Sequence, residues 1–212
     1  MSEQIIQGSE EWKALRLGKA TASRVADIVA RTKSGYGASR ANYMAQLIAE
    51  RLTGQVGESY VNAAMQHGID TESEARNAYC FYSGNAVDEV AFVPHPTIAD
   101  AGCSPDGLVG DDGLVEIKCP NTATHLETLL GQAVPGKYGT QIQFQMACTG
   151  RKWCDWVSYD PRMPESMRMF VMRIERDDRL IAELETEVAA FLRELADKLA
   201  QLESLYGEKV AA

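Results

Sequence analysis

Hydrophobic and polar residues alternate with a period of two along residues 113–120, GLVEIKCP. Val115 and Ile117 therefore fall on one face of a predicted strand, and Glu116 and Lys118 fall on the other. A Glu and a Lys two residues apart on a solvent-facing strand usually do no more than keep the protein soluble. The surroundings of this pair decide whether it carries chemistry.

Patterns elsewhere in the chain predict further elements. Apolar residues three and four apart, with capping residues or glycines at the ends, predict helices, and period-two alternation predicts strands. The turn between the second and third predicted strands is placed at Asp111-Asp112-Gly113, because Asp-Gly between apolar runs is a turn signal. The predicted helices cover residues 9–17, about 21–29 (capped by Thr21 or Ser23), 39–53, about 60–82, 139–150 and 177–206. The predicted strands cover residues 86–93, 103–110, 113–120, 152–160 and 167–176, and residues 31–39 form a flexible Gly/Ser loop.

Strands in the middle of the chain, with helices before and after them, predict an α/β fold with a central mixed β-sheet flanked by α-helices. A chain of 212 residues, 45% of them hydrophobic, is long enough for one domain with a substantial core. We therefore expect a single domain over residues 1–212. Its expected parts are N-terminal helices over 1–84, a sheet over about 85–176 and a C-terminal helix over about 177–206.

Composition narrows the class of protein. The N-terminus lacks a basic segment followed by an apolar run, and no stretch approaches the length of a membrane span, so we expect a cytoplasmic protein without membrane attachment. Five scattered cysteines without a Cys-x-x-Cys pair disfavour disulfides and structural metal sites. The net charge of -9 argues against coating of nucleic acid by bulk charge. The first 60 residues are mildly basic and the middle is acidic, which suits a cation site beside an anion-binding surface, and equally suits simple solubility.

A second acid is expected near Glu116. Asp106 lies in Ser104-Pro105-Asp106-Gly107, and a hairpin between the two segments brings it towards the polar face of the strand. Two adjacent carboxylates repel each other unless a cation neutralises them, so the pair favours a hard divalent metal such as Mg²⁺. Lys118 is placed to orient or deprotonate an attacking water. This arrangement is typical of phosphodiester cleavage.

A third acid, Glu72, lies on the predicted helix that precedes the strands. Ala75 and Tyr79 of this helix form an apolar face that would pack on the sheet. Glu72 lies at the edge of that face and is predicted to reach a second metal ion, with Asp106 shared between the two. The alternative is that Glu72, like Glu74, is an exposed helix acid.

Pro-Asp followed by Glu-x-Lys on the next strand resembles the PD-(D/E)xK nuclease superfamily. More specifically, several segments resemble the phage lambda exonuclease group, also called YqaJ-type viral recombinase nucleases, and they run in order from residue 12 to residue 177. These segments are WKALRLGKATAS, GIDTESEAR, CSPDGLV with GLVEIKCP, QIQFQM, SYDPRM and RIERD.

The resemblance implies a restriction-endonuclease-like core and a Mg²⁺-dependent 5′ to 3′ exonuclease acting on double-stranded DNA ends. Two Mg²⁺ ions are implied, with Mn²⁺ able to substitute. Such an enzyme releases mononucleotides, leaves 3′ single-stranded tails, and works as a toroidal homotrimer with a single-strand annealing protein. Two alternatives stay open: a related PD-(D/E)xK endonuclease, and a catalytically silent DNA-binding relative.

The resemblance also assigns residues. It implies catalytic roles for Asp106, Glu116 and Lys118, and metal binding by Glu72, Asp106, Glu116 and the backbone carbonyl of Ile117. It implies 5′-phosphate or DNA contacts by Trp12, Arg16, Ser23, Lys33, Met65, Ser104 and Gln141. Part of this set has a physical basis, because Trp12 and Arg16 share a helix face and Ser23 lies near a helix start, which favours an anion. Periodicity alone leaves open which of Gln141, Gln143 and Gln145 faces the site.

Overall fold

The computed structural model describes residues 5–57 and 63–207, with the backbone alone for residues 63–65. Within the described chain, no helix is both long and apolar enough to cross a bilayer. All five cysteines are free thiols. The α-helices are α1 (Glu10–Arg16), α2 (Val25–Val29), α3 (Ala38–Thr53), α4 (Ala63–Ser83), α5 (Thr122–Gly131), α6 (Gly139–Thr149) and α7 (Asp178–Tyr206).

The strands form a five-stranded sheet, a three-stranded sheet and a hairpin. The five-stranded sheet has the order β10-β9-β8-β7-β4, in which β8 and β9 are parallel and the other neighbours antiparallel. The three-stranded sheet has the order β1-β6-β5, and β2 pairs with β3. The strands are β1 (Ala20–Thr21), β2 (Arg31–Thr32), β3 (Gly35–Tyr36), β4 (Val87–Asp88), β5 (Val93–Pro94), β6 (Ala101–Cys103), β7 (Gly107–Val109), β8 (Gly113–Lys118), β9 (Trp153–Tyr159) and β10 (Met169–Glu175).

Helices cover both faces of the five-stranded sheet. On one face, Tyr79 of α4 packs in a buried cluster with Val115 and Ile117 of β8. On the other face, Ile142 of α6 packs with Leu114 of β8. The alternation predicted for β8 is therefore confirmed, but its polar face is covered by α6 and is not exposed to solvent. The predicted mixed sheet flanked by helices is also confirmed.

The long helix α7 closes a second part of the core. Its apolar face includes Val188, Phe191 and Leu195, which are fully buried against the N-terminal helices and β6. Asp177 caps this helix, because its carboxylate accepts hydrogen bonds from the backbone N–H groups of residues 179 and 180. This amphipathic helix, which the sequence predicts over residues 177–206, binds the N-terminal half of the chain to the sheet.

Capping at the other helices follows the sequence in part. Ser9 accepts a hydrogen bond from the backbone N–H of Trp12 at the start of α1, and Gly54 ends α3 with a φ of 66°. The prediction that Thr21 or Ser23 caps the second helix is wrong. Thr21 precedes the 3₁₀ turn over residues 22–24 that leads into α2, but its side chain makes no capping hydrogen bond.

Three predictions about strands, turns and loops need correction. Residues 86–93 form two separate short strands, β4 and β5, because the backbone carbonyls of Val90 and Ala91 accept hydrogen bonds from side chains of the N-terminal segment instead of a neighbouring strand. The β7–β8 turn spans residues 110–112, with Gly110 at φ 52°. Gly113 belongs to β8, where the Trp153 ring leaves no room for a Cβ atom.

The third correction concerns the predicted loop over residues 31–39, which begins as the hairpin β2–β3. The hairpin is fixed to α7, because Arg31 and the Tyr36 hydroxyl both bond to the carboxylate of Glu187, at 2.6 and 2.7 Å. The Arg31 guanidinium also lies 4.1 Å from the centre of the Tyr36 ring. Lys33 is exposed in the turn of this hairpin.

Candidate active site

Asp106 lies at the point where the β7–β8 ladder ends. The register pairs Gly107 with Val115, and β7 begins at Gly107, so Ile117 has no residue of β7 opposite it. The Asp106 carboxylate takes that place, accepting a hydrogen bond from the backbone N–H of Ile117 at 2.6 Å. The Pro-Asp bend therefore fixes an acid beside the middle strand of the sheet.

Glu116 lies under α6 and only 1% of it is exposed. Its Oε1 accepts from Lys118 Nζ and from Gln141 Nε2, each at 2.5 Å. Its Oε2 accepts from Gln145 Nε2 at 2.7 Å. Three donors satisfy the oxygens of this one buried carboxyl group, which offsets the cost of removing it from water.

The charges at this site are strongly coupled. Burial and then the negative charge of Glu116 raise the pKa of Asp106 well above its usual value. Burial alone would lower the pKa of Lys118, but the charges of Glu116 and Asp106 raise it above the ordinary lysine value. Lys118 is thus an ammonium ion that pairs with Glu116 and is also stabilised by the charge of Asp106, and Asp106 resists ionisation until further positive charge arrives.

This donor set fits a hard divalent cation. It offers the carboxylate oxygens of Asp106 and Glu116, and Mg²⁺ is typically held by one or two carboxylates, with water and phosphate oxygens completing its shell. Among residues 5–57 and 63–207, no three His, Cys, Asp or Glu side chains converge to hold a metal. The fit therefore rests on Asp106 and Glu116, which a cation would relieve of their mutual repulsion.

Glu72 does not complete a three-acid cage in this structure. Its carboxylate forms an ion pair with Arg76 at 2.7 Å, and Arg76 also contacts Glu89 at 2.7 Å. Glu72 is nevertheless near the site, because its charge contributes to the raised pKa of Asp106. The other helix acid, Glu74, accepts a hydrogen bond from the Tyr159 hydroxyl.

Three of the predicted phosphate-binding residues form one hydrogen-bonded group. Ser104 Oγ accepts from Trp12 Nε1 at 3.0 Å and from Arg16 Nη1 at 2.9 Å. The Arg16 guanidinium lies 4.3 Å from the Trp12 ring centre, which restricts its orientation. Ser104 is two residues from Asp106, so this group is tied directly to the strand end that carries the acid.

A cleft of about 840 Å³ opens beside this group. Arg16 and Ser23 line it together with Lys19, and burial lowers the pKa of Arg16. Two acids also line the cleft, but both are engaged: Glu10 is paired with Lys13, and Glu50 accepts from the backbone N–H of Gly18. The exposed Ser23 hydroxyl completes a polar wall suited to an anion.

The remaining predicted residues have different outcomes. Gln141 contacts Glu116, so it faces the site, and the helical spacing puts Gln145 on the same side. Gln143 points away and bonds to the backbone of Glu175 and Asp177. The side chain of Met65 lies outside the described part of the chain, so its predicted contact with the end base pair stays a prediction.

Sequence reasoning did not assign two residues that lie beside the acids. Gln145 was one of three open candidates, and recognising residues 139–150 as a helix already implies that Gln141 and Gln145, four apart, share a face. Tyr138, whose ring centre lies 5.6 Å from Lys118 Nζ, had no signal in the sequence, because it precedes α6 and reaches the site only through the fold.

The mixed sheet with helices on both faces, and with Asp106, Glu116 and Lys118 around its middle strand, defines a nuclease with a restriction-endonuclease-like core. A family model described as the YqaJ-like viral recombinase domain matches residues 11–152. The chain belongs to this family, and it is a deoxyribonuclease.

Solved structures extend the comparison. A crystal structure of an alkaline exonuclease, LHK-Exo from Laribacter hongkongensis, is 57% identical, with a TM-score of 0.86 over 92% of this chain and 97% of that chain. Its complex with dAMP gives a TM-score of 0.87 at the same identity and coverage. A phage related exonuclease from Haemophilus somnus 129PT, 16% identical, shares the fold with a TM-score of 0.71 over 87% of this chain and 96% of that chain. The protein ExoD of Escherichia coli (strain K12) is 28% identical over 78 residues, which cover 37% of this chain and 88% of ExoD.

Proposed function

We propose that this protein is a Mg²⁺-dependent 5′ to 3′ exonuclease that degrades one strand of double-stranded DNA to mononucleotides. The observation that carries the proposal is the link between two groups of residues. Ser104 joins Trp12 and Arg16 to the strand end that holds Asp106, and Gln141 contacts Glu116 directly. A phosphate-binding group and a carboxylate pair thus share one site.

The chemistry divides between the cation and the side chains. A bound divalent cation supplies Lewis acidity towards the phosphodiester and neutralises the carboxylates of Asp106 and Glu116. Lys118, an ammonium ion 2.5 Å from Glu116, holds the attacking water by donating to it and stabilises negative charge that develops on the phosphate. Neutralising the acids also removes the charges that raise the pKa of Lys118, so its ammonium group loses a proton to solvent more readily, and the neutral amine that results can accept the proton of the attacking water.

Further ligands are proposed for the cation. In an antiparallel ladder a residue turns its N–H and C=O groups to the same neighbouring strand. Because Ile117 gives its N–H to Asp106, its carbonyl faces the same side and supports the proposed backbone ligand. Glu72 would serve a second cation after exchanging its ion pair with Arg76.

The phosphate-binding group gives a reason for the proposed polarity. Arg16, Ser23, Ser104 and Gln141 would hold the terminal 5′-phosphate, with Trp12 fixing the Arg16 guanidinium. Each cleavage creates a new 5′-phosphate, and its capture places the next bond at the cation. The LHK-Exo complex with dAMP, a mononucleotide, supports mononucleotide products.

The proposal extends to the duplex and to partners. Lys33 in the exposed hairpin turn would contact duplex DNA, and Met65 would pack on the end base pair. By membership of the YqaJ-like family we further propose a homotrimer that leaves 3′ tails for a single-strand annealing protein. These tails would serve recombination by strand annealing.

A digestion of duplex DNA labelled separately at each 5′ end tests this function. The substrate carries 5′-phosphates and is incubated with Mg²⁺ or with a chelator, beside a covalently closed circle of the same sequence. With Mg²⁺, we expect the labelled 5′-terminal nucleotide to be released first, as a mononucleotide. We expect no cleavage with chelator, and we expect the closed circle to remain intact. Cleavage of the circle would favour the related endonuclease, and binding without cleavage would favour the catalytically silent relative.

A further inference from the structure

Two glutamines of α6 hold opposite oxygens of the same buried carboxylate. Gln141 donates to Oε1 of Glu116 and Gln145 donates to Oε2, at 2.5 and 2.7 Å. Lys118 also donates to Oε1, so this oxygen carries two donors, whereas Gln145 is the donor at Oε2. Gln141 is partly exposed, and Gln145, about one helical turn further along α6, is buried.

The surroundings of Gln145 show that the carboxylate dictates its orientation. Only 1% of this residue is exposed, and its amide oxygen has no hydrogen-bond partner in the described part of the chain. An unpaired buried acceptor costs about 1–3 kcal/mol. Turning the amide over would place its oxygen against the carboxylate oxygen of Glu116, and the repulsion between two acceptors would cost more than the unpaired oxygen does. Gln143, by contrast, pairs both ends of its amide with the backbone where β10 passes into α7.

We propose that Gln145 is a positioning residue that fixes Glu116 through Oε2, and that Oε1 exchanges its two donors for a divalent cation. This inference rests on the proposed nuclease function and adds a division of labour between the two glutamines. A cation that takes Oε1 frees the Gln141 amide for the terminal phosphate and the Lys118 ammonium for the water. Cation and phosphate therefore bind cooperatively, and each tightens the binding of the other by the same factor.

Calorimetric titration of Mg²⁺ into the metal-free full chain tests the positioning role. Gln145→Met keeps the length of the side chain and removes the donor, and we expect it to weaken Mg²⁺ binding about 10–100-fold, as loss of a residue supporting a metal ligand does. Gln143→Met on the same helix is the matched control and should keep the wild-type affinity. Thermal unfolding measures the loss of stability in both variants. That loss should be at least as large for Gln143→Met, which loses two hydrogen bonds, as for Gln145→Met, which loses one, so a selective loss of Mg²⁺ affinity in Gln145→Met does not arise from stability.

A second titration tests the exchange at Oε1. We expect wild-type protein to bind dAMP more tightly with saturating Mg²⁺ than without it. Gln141→Met removes a donor that competes with Mg²⁺ for Oε1, so the variant should bind Mg²⁺ at least as tightly as the wild type. In this variant Mg²⁺ should no longer increase the affinity for dAMP. The two glutamine variants thus have opposite signatures, which a general loss of packing would not produce.

The outcomes separate this inference from the proposed function. If Gln145→Met binds Mg²⁺ as tightly as wild type, the positioning role is refuted although the nuclease function stands. If Gln141→Met weakens Mg²⁺ as much as Gln145→Met, the exchange at Oε1 is refuted. If the wild-type chain itself neither binds Mg²⁺ nor cleaves DNA, the proposed function fails. Should Gln145→Met not fold, Gln145→Leu provides the same comparison.

Discussion

Replacing Lys118 with Ala removes the ammonium group that pairs with Glu116. In the metal-free protein, this leaves the buried carboxyl group of Glu116, which is 1% exposed, without its ion-pair partner and beside a second acid, Asp106. The loss therefore affects stability as well as catalysis. A divalent cation supplies the missing positive charge, so Mg²⁺ should restore the stability of Lys118→Ala without restoring cleavage.

The size of the effect follows from the burial of the pair. Breaking a buried ion pair by removing one partner costs roughly 3–5 kcal/mol, and we take about 3 kcal/mol because 28% of the Lys118 side chain is exposed. For a domain of this length, 1 kcal/mol lowers the melting temperature by about 2–4 °C. The expected loss in chelator is therefore about 6–12 °C, and Mg²⁺ should recover more stability in the variant than in the wild type.

Thermal unfolding followed by circular dichroism, with chelator and with Mg²⁺, measures this effect, and digestion of labelled duplex measures cleavage. Lys152→Ala is the matched control, because Lys152 pairs with Asp112 on the surface, where 69% of its side chain is exposed. It should shift the melting temperature little and leave cleavage intact. A Lys118→Ala protein as stable as the wild type in chelator, or one that still cleaves DNA at the wild-type rate, would refute the reasoning.

Three further predictions follow from the same structure. Since the pKa of Asp106 is raised and Mg²⁺ binds its ionised form, the Mg²⁺ affinity should fall as the pH is lowered, and more protons should be released for each Mg²⁺ bound. Calorimetry in buffers of different ionisation heat measures both quantities, and a pH-independent affinity would contradict the prediction. Asp160→Asn should lower the free energy of unfolding in denaturant by about 2 kcal/mol at neutral pH, because, although burial opposes the shift, Arg162 lowers the pKa of Asp160 to about 2. In the wild type this contribution to stability is present above the ordinary pKa of an aspartate and is lost as the pH falls towards 2. An unchanged unfolding midpoint for the variant would contradict the prediction. Arg16→Lys should weaken binding of a 5′-phosphorylated duplex about tenfold in fluorescence anisotropy and leave a 5′-hydroxyl duplex unaffected, and equal losses for both would argue against a phosphate contact.

Local patterns predicted much of the fold. The alternation in residues 113–120, the cap at Ser9 and the glycine after α3 are signals within a few residues, and each corresponds to an element of the structure. The segment 86–93 was predicted as one strand, although Asp88 and Glu89 interrupt its apolar residues. Its division depends on hydrogen bonds from the Gln7 and Trp12 side chains, which lie some eighty residues away in sequence.

The candidate site follows the same division. The approach of Asp106 to the polar strand was predictable from a hairpin, although the structure places the acid against the backbone N–H of Ile117. The partner of Glu72 was not predicted, because Arg76 is an ordinary (i, i+4) neighbour and nothing in the sequence shows whether a helix acid pairs along its helix or across to a sheet. The face of Gln145 was left open because periodicity alone does not show which side of the helix over residues 139–150 meets the acids.

The central claim is that Asp106 and Glu116 jointly hold a divalent cation. Crystals grown with Mn²⁺ in place of Mg²⁺, measured at the manganese absorption edge, locate the ion directly by its anomalous scattering. The account predicts an anomalous peak at coordination distance, roughly 2.1 Å as for Mg²⁺, from an oxygen of each carboxylate, with Lys118 displaced from Glu116. A well-ordered site without such a peak, and with Lys118 still paired to Glu116, would contradict it.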